Sequence, residues 1–294
     1  MSSGTLIGPL RERAYDDPAP GVRLEGWRRF VSLRNRVRPH VLGELLVLTF
    51  LLYLYNVIRS HAAVRRDLAM HNAHVLLALE HHLGLAWEKS TNVWVSAHPL
   101  LANAISYYYQ YSHISVTLAV LVVCYWRAPN IYRPLRNALL FTNLLGLVVY
   151  AFYPLAPPRL IPGAGYVDSV SQAGFGTTHG GPVLADQFGA MPSLHLAWAT
   201  WVAISVFCLT HRRWVRALAL LNLTVMTVTV VVTANHYVLD VVAGVAAAYL
   251  GIWVARTHMW RRDQRLLDRV SRAGQPDDEP VSLVRGRIGA HDQD

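Results

Sequence analysis

The sequence predicts an all-α polytopic membrane protein, a six-transmembrane-helix bundle with interfacial helices on its outer face. Three observations lead there. Only 15% of the 294 residues are charged, against about 25% in a soluble domain, and 53% are apolar. The apolar residues gather into long runs at 41–58, 99–126, 137–158, 194–210, 217–239 and 241–255. Most approach or exceed the ~17–25 residues that a bilayer-spanning helix needs. The clusters of arginine between the runs all fall on one side of a six-span arrangement.

Residues 1–40 form a basic arm, in which RRFVSLRNRVR has the pattern of an amphipathic helix for an anionic lipid surface. The first run begins only after this arm, too late for a secretory signal. After it, residues 61–99 mix charge with apolar residues at helical spacing and carry Trp87 and Trp94, so they are expected as outer interfacial helices. His71, His74, His81 and His82 lie here without an HExxH pattern and are expected to be solvated or interfacial rather than metal ligands. The second run contains SYYYQYSHISV. His113 within it has two readings: a functional polar group in a span, or a neutral histidine bonded to a neighbouring helix. Cys124 and Cys208 fall inside runs and read as small core hydrophobes.

Between the third and fourth runs, residues 156–190 are rich in Gly, Ser and Pro, with Arg159 as the one firm cation. A stretch of this length is expected to be a lid. The sixth run reaches spanning length only if it extends over 237–256. The core domain is thus 41–257, followed by a charged, mostly disordered tail at 258–294.

The net charge of +9 is distributed as a membrane protein would have it. Arginines crowd the arm, residues 127–136, residues 212–216 and the C-terminal tail; the opposite side keeps Arg59, Arg65, Arg66, Lys89 and Arg159. The positive-inside rule makes both termini cytoplasmic, in a cell (plasma or inner) membrane with anionic lipids at the cytoplasmic face. Nucleic acid is not an expected partner.

This topology brings distant polar residues to the outer side together. They are Arg159 in PLAPPRL, Ser193 and His195 in AMPSLHLAWAT, and His236 and Asp240 in TANHYVLDVVAG. Each has a bland reading: an interfacial anchor, a helix cap, a self-satisfied His–Asp pair. Together they fit phosphoryl transfer. Asp240, four residues after His236, is positioned to accept an imidazole Nδ1–H and leave Nε2 as a nucleophile. His195 is placed to act as general acid and base, and Arg159 offers a fork of donors to phosphate oxygens. The start of the fourth span, with Pro192 in its first turn, adds free N–H groups and the Ser193 hydroxyl. His113 and Tyr109 are candidate substrate contacts. Two competing classes are an intramembrane serine protease with a Ser193/His236 dyad, which leaves His195 and Asp240 idle, and a transporter. The transporter would spread ionisable groups through the bilayer depth, whereas here they cluster on one face.

PSLH followed by HYVLD resembles the second and third motifs of the type 2 phosphatidic acid phosphatase superfamily, over roughly residues 40–257. The resemblance implies a six-helix core and a metal-independent, cofactor-free phosphohistidine mechanism. It assigns His236 as nucleophile, Asp240 as its orienting partner and His195 as general acid/base. The first motif's lysine is missing, since Phe152 stands seven residues before Arg159 and Leu160 follows it. The Ser-Arg pair of the third motif reads Thr229-Val230. PLAPPR with HYVLD, and LALEHHLGLAWE ahead of the second span, are similar to the inositol phosphorylceramide synthase branch, the aureobasidin-resistance protein-like inositolphosphotransferases. That branch implies transfer of a phospho-headgroup from a glycerophospholipid to an acceptor alcohol. The expected substrate is a membrane phospholipid or prenyl phosphate with an alcohol or lipid acceptor, and the two missing cations lean slightly toward headgroup transfer over hydrolysis.

Overall fold

A computed structural model of the protein describes residues 39–85, 87–175 and 188–273. These residues form the helices α1 (Val41–Val64), α2 (Arg66–His82), α3 (Glu88–Ser96), α4 (Pro99–Arg127), α5 (Pro129–Phe152), α6 (Leu194–Leu209), α7 (Arg213–Val232) and α8 (Val238–Ala273), with a long connection between α5 and α6. A 3-10 turn at Pro158–Leu160 and a π turn at Ser171–Phe175 punctuate the connection after α5. Prolines 99 and 129 open α4 and α5, where the missing N–H costs nothing.

Among the described residues, four helices have the length and apolar composition to cross a membrane: Val41–Ile58, Pro129–Phe152, Arg213–Val232 and Val238–Thr257. The expected sixth span therefore reaches full length by the extension foreseen for it. Helix α6 is apolar but has 16 residues, and the 29-residue α4 is diluted by its polar SYYYQYSH stretch. Large apolar side chains such as Leu42, Leu46, Phe50, Phe152 and Trp253 face outward, as in a bundle whose solvent is acyl chain.

Several boundaries differ from those read in the sequence: α1 runs past residue 58 to Val64, into the segment expected as interfacial helices, and α5 begins at Pro129 rather than at 137. The third run was expected to span to residue 158, but α5 stops at Phe152 because Pro154, Pro157 and Pro158 cannot continue a helix. The fifth run ends as helix at Val232; Thr233–Tyr237 make a turn with Ala234 at φ 53°. Helix α8 runs on to Ala273 through good helix formers, past the residue 257 boundary. The basic arm up to residue 38, the tail after residue 273 and residues 176–187 of the expected lid lie outside the described residues.

The bundle closes around α8 and α5. Gly251 makes their approach possible: a Cβ there would stand 2.2 Å from Thr142 Oγ1 and 2.8 Å from the Ala138 carbonyl oxygen. Helix α6 threads between α4, α5, α7 and α8, and Trp201, fully buried, donates its indole N–H to the Leu135 carbonyl at 2.8 Å. Cys124 is buried in this same cluster. Helix α1 is tied to α5 by Glu44, which pairs with Arg136 at 3.0 Å and accepts from the Tyr132 hydroxyl at 3.0 Å.

Helices α2 and α3 cover one end of the bundle and fall within the segment 61–99, of which residues 61–64 belong to α1. Ala69, Ala73 and Leu76 of α2 pack on Leu155, Ala156, Ile161 and Tyr237. The four histidines of α2 point away from this core and are exposed.

Candidate active site

At the end covered by α2 and α3, three segments distant in sequence are laced together by backbone hydrogen bonds. Leu155 N–H donates to the Phe188 carbonyl at 2.7 Å, and Ala190 N–H to the Leu155 carbonyl at 3.3 Å. The Ala156 N–H donates back to Ala69 of α2 at 3.1 Å, and the Tyr237 hydroxyl donates to the Ala156 carbonyl at 2.9 Å. Arg159 N–H reaches the Ala234 carbonyl and Ser193 N–H the Asp240 carbonyl, both at 3.1 Å. These bonds satisfy buried backbone groups, and in doing so they fix Arg159, Ser193 and His236 relative to one another. Gly244 lets α8 come this close, since a Cβ would lie 2.3 Å from the Ser193 carbonyl oxygen.

His236 is buried, two residues ahead of α8 rather than on its face. Its Nδ1 lies 2.8 Å from the Ala190 carbonyl and 3.6 Å from Asp240 Oδ2. A carbonyl only accepts, so Nδ1 carries the proton and Nε2 is left with its lone pair. The direct bond foreseen from Asp240 is thus made by a backbone carbonyl, with the carboxylate in ion-pair range behind it. The reason is local. Asp240, in the first turn of α8, uses Oδ2 to accept the Tyr237 N–H at 3.0 Å, which is the returning half of a capping box. Asp240 is fully buried, and among the described residues its Oδ1 has no hydrogen-bond partner.

Arg159 sits on the 3-10 turn with its guanidinium held from two sides. Nε donates to Asn235 Oδ1 at 2.7 Å, and Nη1 pairs with Asp168 Oδ2 at 2.9 Å. Asn235, next to His236, is itself locked by donating to Thr233 Oγ1 at 2.9 Å. Three guanidinium N–H groups beyond these remain for an anion. Asp168 also accepts the Ser171 N–H at 2.9 Å, so it joins Arg159 to the π turn. That turn lays Phe175 edge-on against Tyr107 and Tyr111 of α4, at ring distances of 4.7 and 5.7 Å.

His195 lies in the first turn of α6 and is enclosed by rings. Tyr109 stacks on it at 4.3 Å, His113 tilts against it at 4.2 Å, and His236 stands edge-on at 5.6 Å. His113 donates Nδ1–H to the Tyr109 carbonyl at 2.9 Å, one turn back in α4, and neighbours Trp198 at 5.6 Å. The bond of His113 is to its own helix rather than to a neighbouring one, and its ring faces His195. Among the tyrosines of α4, Tyr109 joins the site, Tyr107 turns to Phe175, and Tyr108 donates to Asn222 Oδ1 at 2.9 Å.

Ser193 is the N-cap of α6, buried, its Oγ 3.5 Å from the Leu196 N–H. Pro192 precedes the cap instead of occupying the first turn, because the chain is still extended at Ser193 (ψ 105°). With Ser193 as cap, the Leu194 and His195 N–H groups have no acceptor within the helix, which makes an anion cradle beside His195. A Ser193/His236 dyad finds no bond in support: Ser193 Oγ caps α6 while His236 Nδ1 is held by Ala190.

The sequence reading missed Asn235, Asp168 and the Ala190 carbonyl, along with two buried glutamates, Glu80 and Glu88. Asn235 adjoins the HYVLD motif and the glutamates close the two halves of LALEHHLGLAWE, so a signal existed for those three. Nothing in the sequence marks a backbone carbonyl or the pairing of Asp168 with Arg159.

Residues 74–254 match the family described as the PAP2 superfamily. A protein of Bacteroides thetaiotaomicron named phosphoinositol dihydroceramide synthase is 31% identical over 135 residues, which is 40% of this chain and 44% of that protein. The chain thus matches under half the length of that relative. No solved structure matches the chain.

Proposed function

The chain belongs to the PAP2 superfamily, and on that premise we propose that it is a lipid phosphotransferase that moves a phosphate-bearing headgroup between alcohols at the outer membrane face. The observation that carries the proposal is His236, whose Nδ1 is pinned 2.8 Å from a carbonyl so that Nε2 is free beside an arginine fork and a histidine.

In the first half-reaction Nε2 of His236 attacks the donor phosphorus. An N–P bond forms, the P–O bond to the lipid breaks, and His195 gives its proton to the departing alkoxide. In the second half His195 takes the proton of an acceptor hydroxyl, whose oxygen attacks phosphorus and releases His236. Arg159, the α6 cradle and the Ser193 hydroxyl bind the phosphate oxygens. Asp240 stabilises the positive imidazole of the intermediate from 3.6 Å, and Ala190 fixes its tautomer. His113 and Tyr109 line the side from which substrate meets His195. The residues themselves perform each step, so no metal or cofactor enters this mechanism.

Headgroup transfer is favoured over hydrolysis on charge. A phosphodiester carries less negative charge than a phosphate monoester, and Arg159 is the cation at this site where the phosphatase motifs also place a lysine and a second arginine. The relative named phosphoinositol dihydroceramide synthase supports the same choice and makes phosphatidylinositol the first donor to try. The test is a lipid panel with purified protein in detergent. Phosphatidylinositol, phosphatidic acid and a prenyl diphosphate are each offered with and without ceramide or diacylglycerol, for wild type and His236→Ala. A headgroup-exchanged lipid without free phosphate, lost in the variant, is expected. Free phosphate alone would make the protein a phosphatase, and activity surviving in His236→Ala would end the phosphohistidine reading.

A further inference from the structure

Behind the first turn of α8 lie two glutamates that the mechanism does not use. Glu80, near the end of α2, and Glu88, at the start of α3, are both fully buried. Glu80 Oε1 accepts the Leu239 N–H at 2.7 Å, a first-turn donor of α8 flanked by His236 and Asp240. Glu88 Oε1 accepts the Tyr166 hydroxyl at 3.0 Å. The second oxygens, Glu80 Oε2 and Glu88 Oε2, are buried, and among the described residues neither has a donor. The two carboxyl groups lie close enough to act on each other electrostatically, and both converge on Tyr237.

Two ionised carboxylates at close range and out of water repel, and each would carry an unsatisfied oxygen. One proton between the two Oε2 atoms removes both penalties at once. The other ionisable groups facing the pair do not supply it. They are Asp240 and Tyr237 at α8 and Tyr166 in the connection, all acidic, and no lysine or arginine bonds to either glutamate among the described residues.

We propose that Glu80 and Glu88 share one proton and act as a positioning pair that clamps the start of α8, and with it His236 and Asp240, against α2 and α3. The pairing stands on two fully buried carboxyl groups that each carry an oxygen without a donor among the described residues; its effect on turnover rests on the phosphoryl-transfer reading above. Burial first, then the neighbouring Glu88 and Asp240 charges, lift the Glu80 carboxyl to about 8, against the partial opposition of the Leu239 N–H.

The sign of the pH effect follows. An unfolded glutamate titrates near ~4.3, so between there and about 8 the folded protein holds one proton more than the unfolded chain. The stabilisation is complete below ~4.3, declines by about ten-fold in the unfolding constant per pH unit, and is gone above about 8. The experiment is thermal unfolding of the full chain in detergent from pH 5 to pH 9, followed by tryptophan fluorescence. It compares wild type, Glu80→Gln, Glu88→Gln and the double Gln variant. A glutamine carries a permanent N–H donor, so each single variant keeps the shared bond but has no proton to lose. The downward slope of melting temperature is expected in wild type and much reduced in Glu80→Gln. In the double variant two amide NH2 groups face one another, so its melting temperature falls below both singles at every pH.

Turnover on phosphatidylinositol with ceramide gives the second readout. The single variants retain it, and the double variant loses about ten-fold or more in kcat with KM little changed. An unchanged slope in Glu80→Gln, or a double variant no worse than the singles, overturns the proposal. Absence of turnover in wild type would count against the phosphotransferase reading, while the unfolding slopes would still decide the pair.

Discussion

Replacing Asn235 with alanine should cripple the proposed site without touching either of the histidines assigned to catalysis. The side chain is buried and its Oδ1 accepts from Arg159 Nε at 2.7 Å, so the bond is charge-assisted and out of water. Such bonds contribute about 1.5–3 kcal/mol. In Asn235→Ala the guanidinium keeps only Asp168, on a connecting loop, and loses the aim that Asn235 gives it beside His236. If that aim is used in the transition state, kcat/KM falls about 10- to 100-fold, at ~1.4 kcal/mol per decade. The assay is initial-rate transfer to ceramide from the donor identified by the lipid panel, with Arg159→Ala and the double variant alongside. Because Asn235 acts through Arg159, the double variant should be no slower than Arg159→Ala. Wild-type kcat/KM in Asn235→Ala, or fully additive losses, would refute the idea that Arg159 is a phosphate ligand held by Asn235. Asn235→Asp adds a sharper version: it keeps the acceptor but places a negative charge where phosphate binds, and should raise KM.

Other expectations follow from single contacts. Gly244→Ala forces a Cβ to within 2.3 Å of the Ser193 carbonyl oxygen, so it should cost about 1–3 kcal/mol of stability, seen as a lowered melting temperature, and should slow turnover by shifting α6 from α8. Phe175→Ala removes the ring packed on Tyr107 and Tyr111; loss of this anchor should raise KM more than it lowers kcat in the same transfer assay. His113→Phe keeps a ring against His195 but removes both nitrogens; with His113 as a substrate contact, kcat/KM should drop about ten-fold while the melting temperature stays near wild type.

The bundle was legible in the sequence because its signals are long. Runs of apolar residues and arginine placement each average over many positions, and helices α4 and α8 begin within a few residues of the runs that announced them. Ends were less legible where a run of apolar residues crosses a turn, as at Ala234, or where prolines end a helix inside it, as after Phe152. The candidate site residues were singled out through their chemistry and common topology, and the structure brings them to one end of the bundle. The details that aim them were not, because a backbone carbonyl at Ala190 and a carboxylate at Asp168 acquire their roles only when distant segments meet. Asp240 shows the same limit: four-residue spacing from His236 is right for a pair on a helix, but α8 begins after His236, and the carboxylate turns to cap it.

The central claim is the covalent intermediate on His236, and trapping it is the most direct test. Wild-type protein would be mixed with phosphatidylinositol without acceptor and quenched in alkali, where an N–P bond to histidine survives. The peptide containing His236 would then be weighed by mass spectrometry, beside the same peptide from His195→Ala. The account predicts an inositol-phosphate adduct on His236 that vanishes when ceramide is added before the quench, and that accumulates more slowly in His195→Ala. Turnover with no adduct on His236, or an adduct on another side chain, would contradict it.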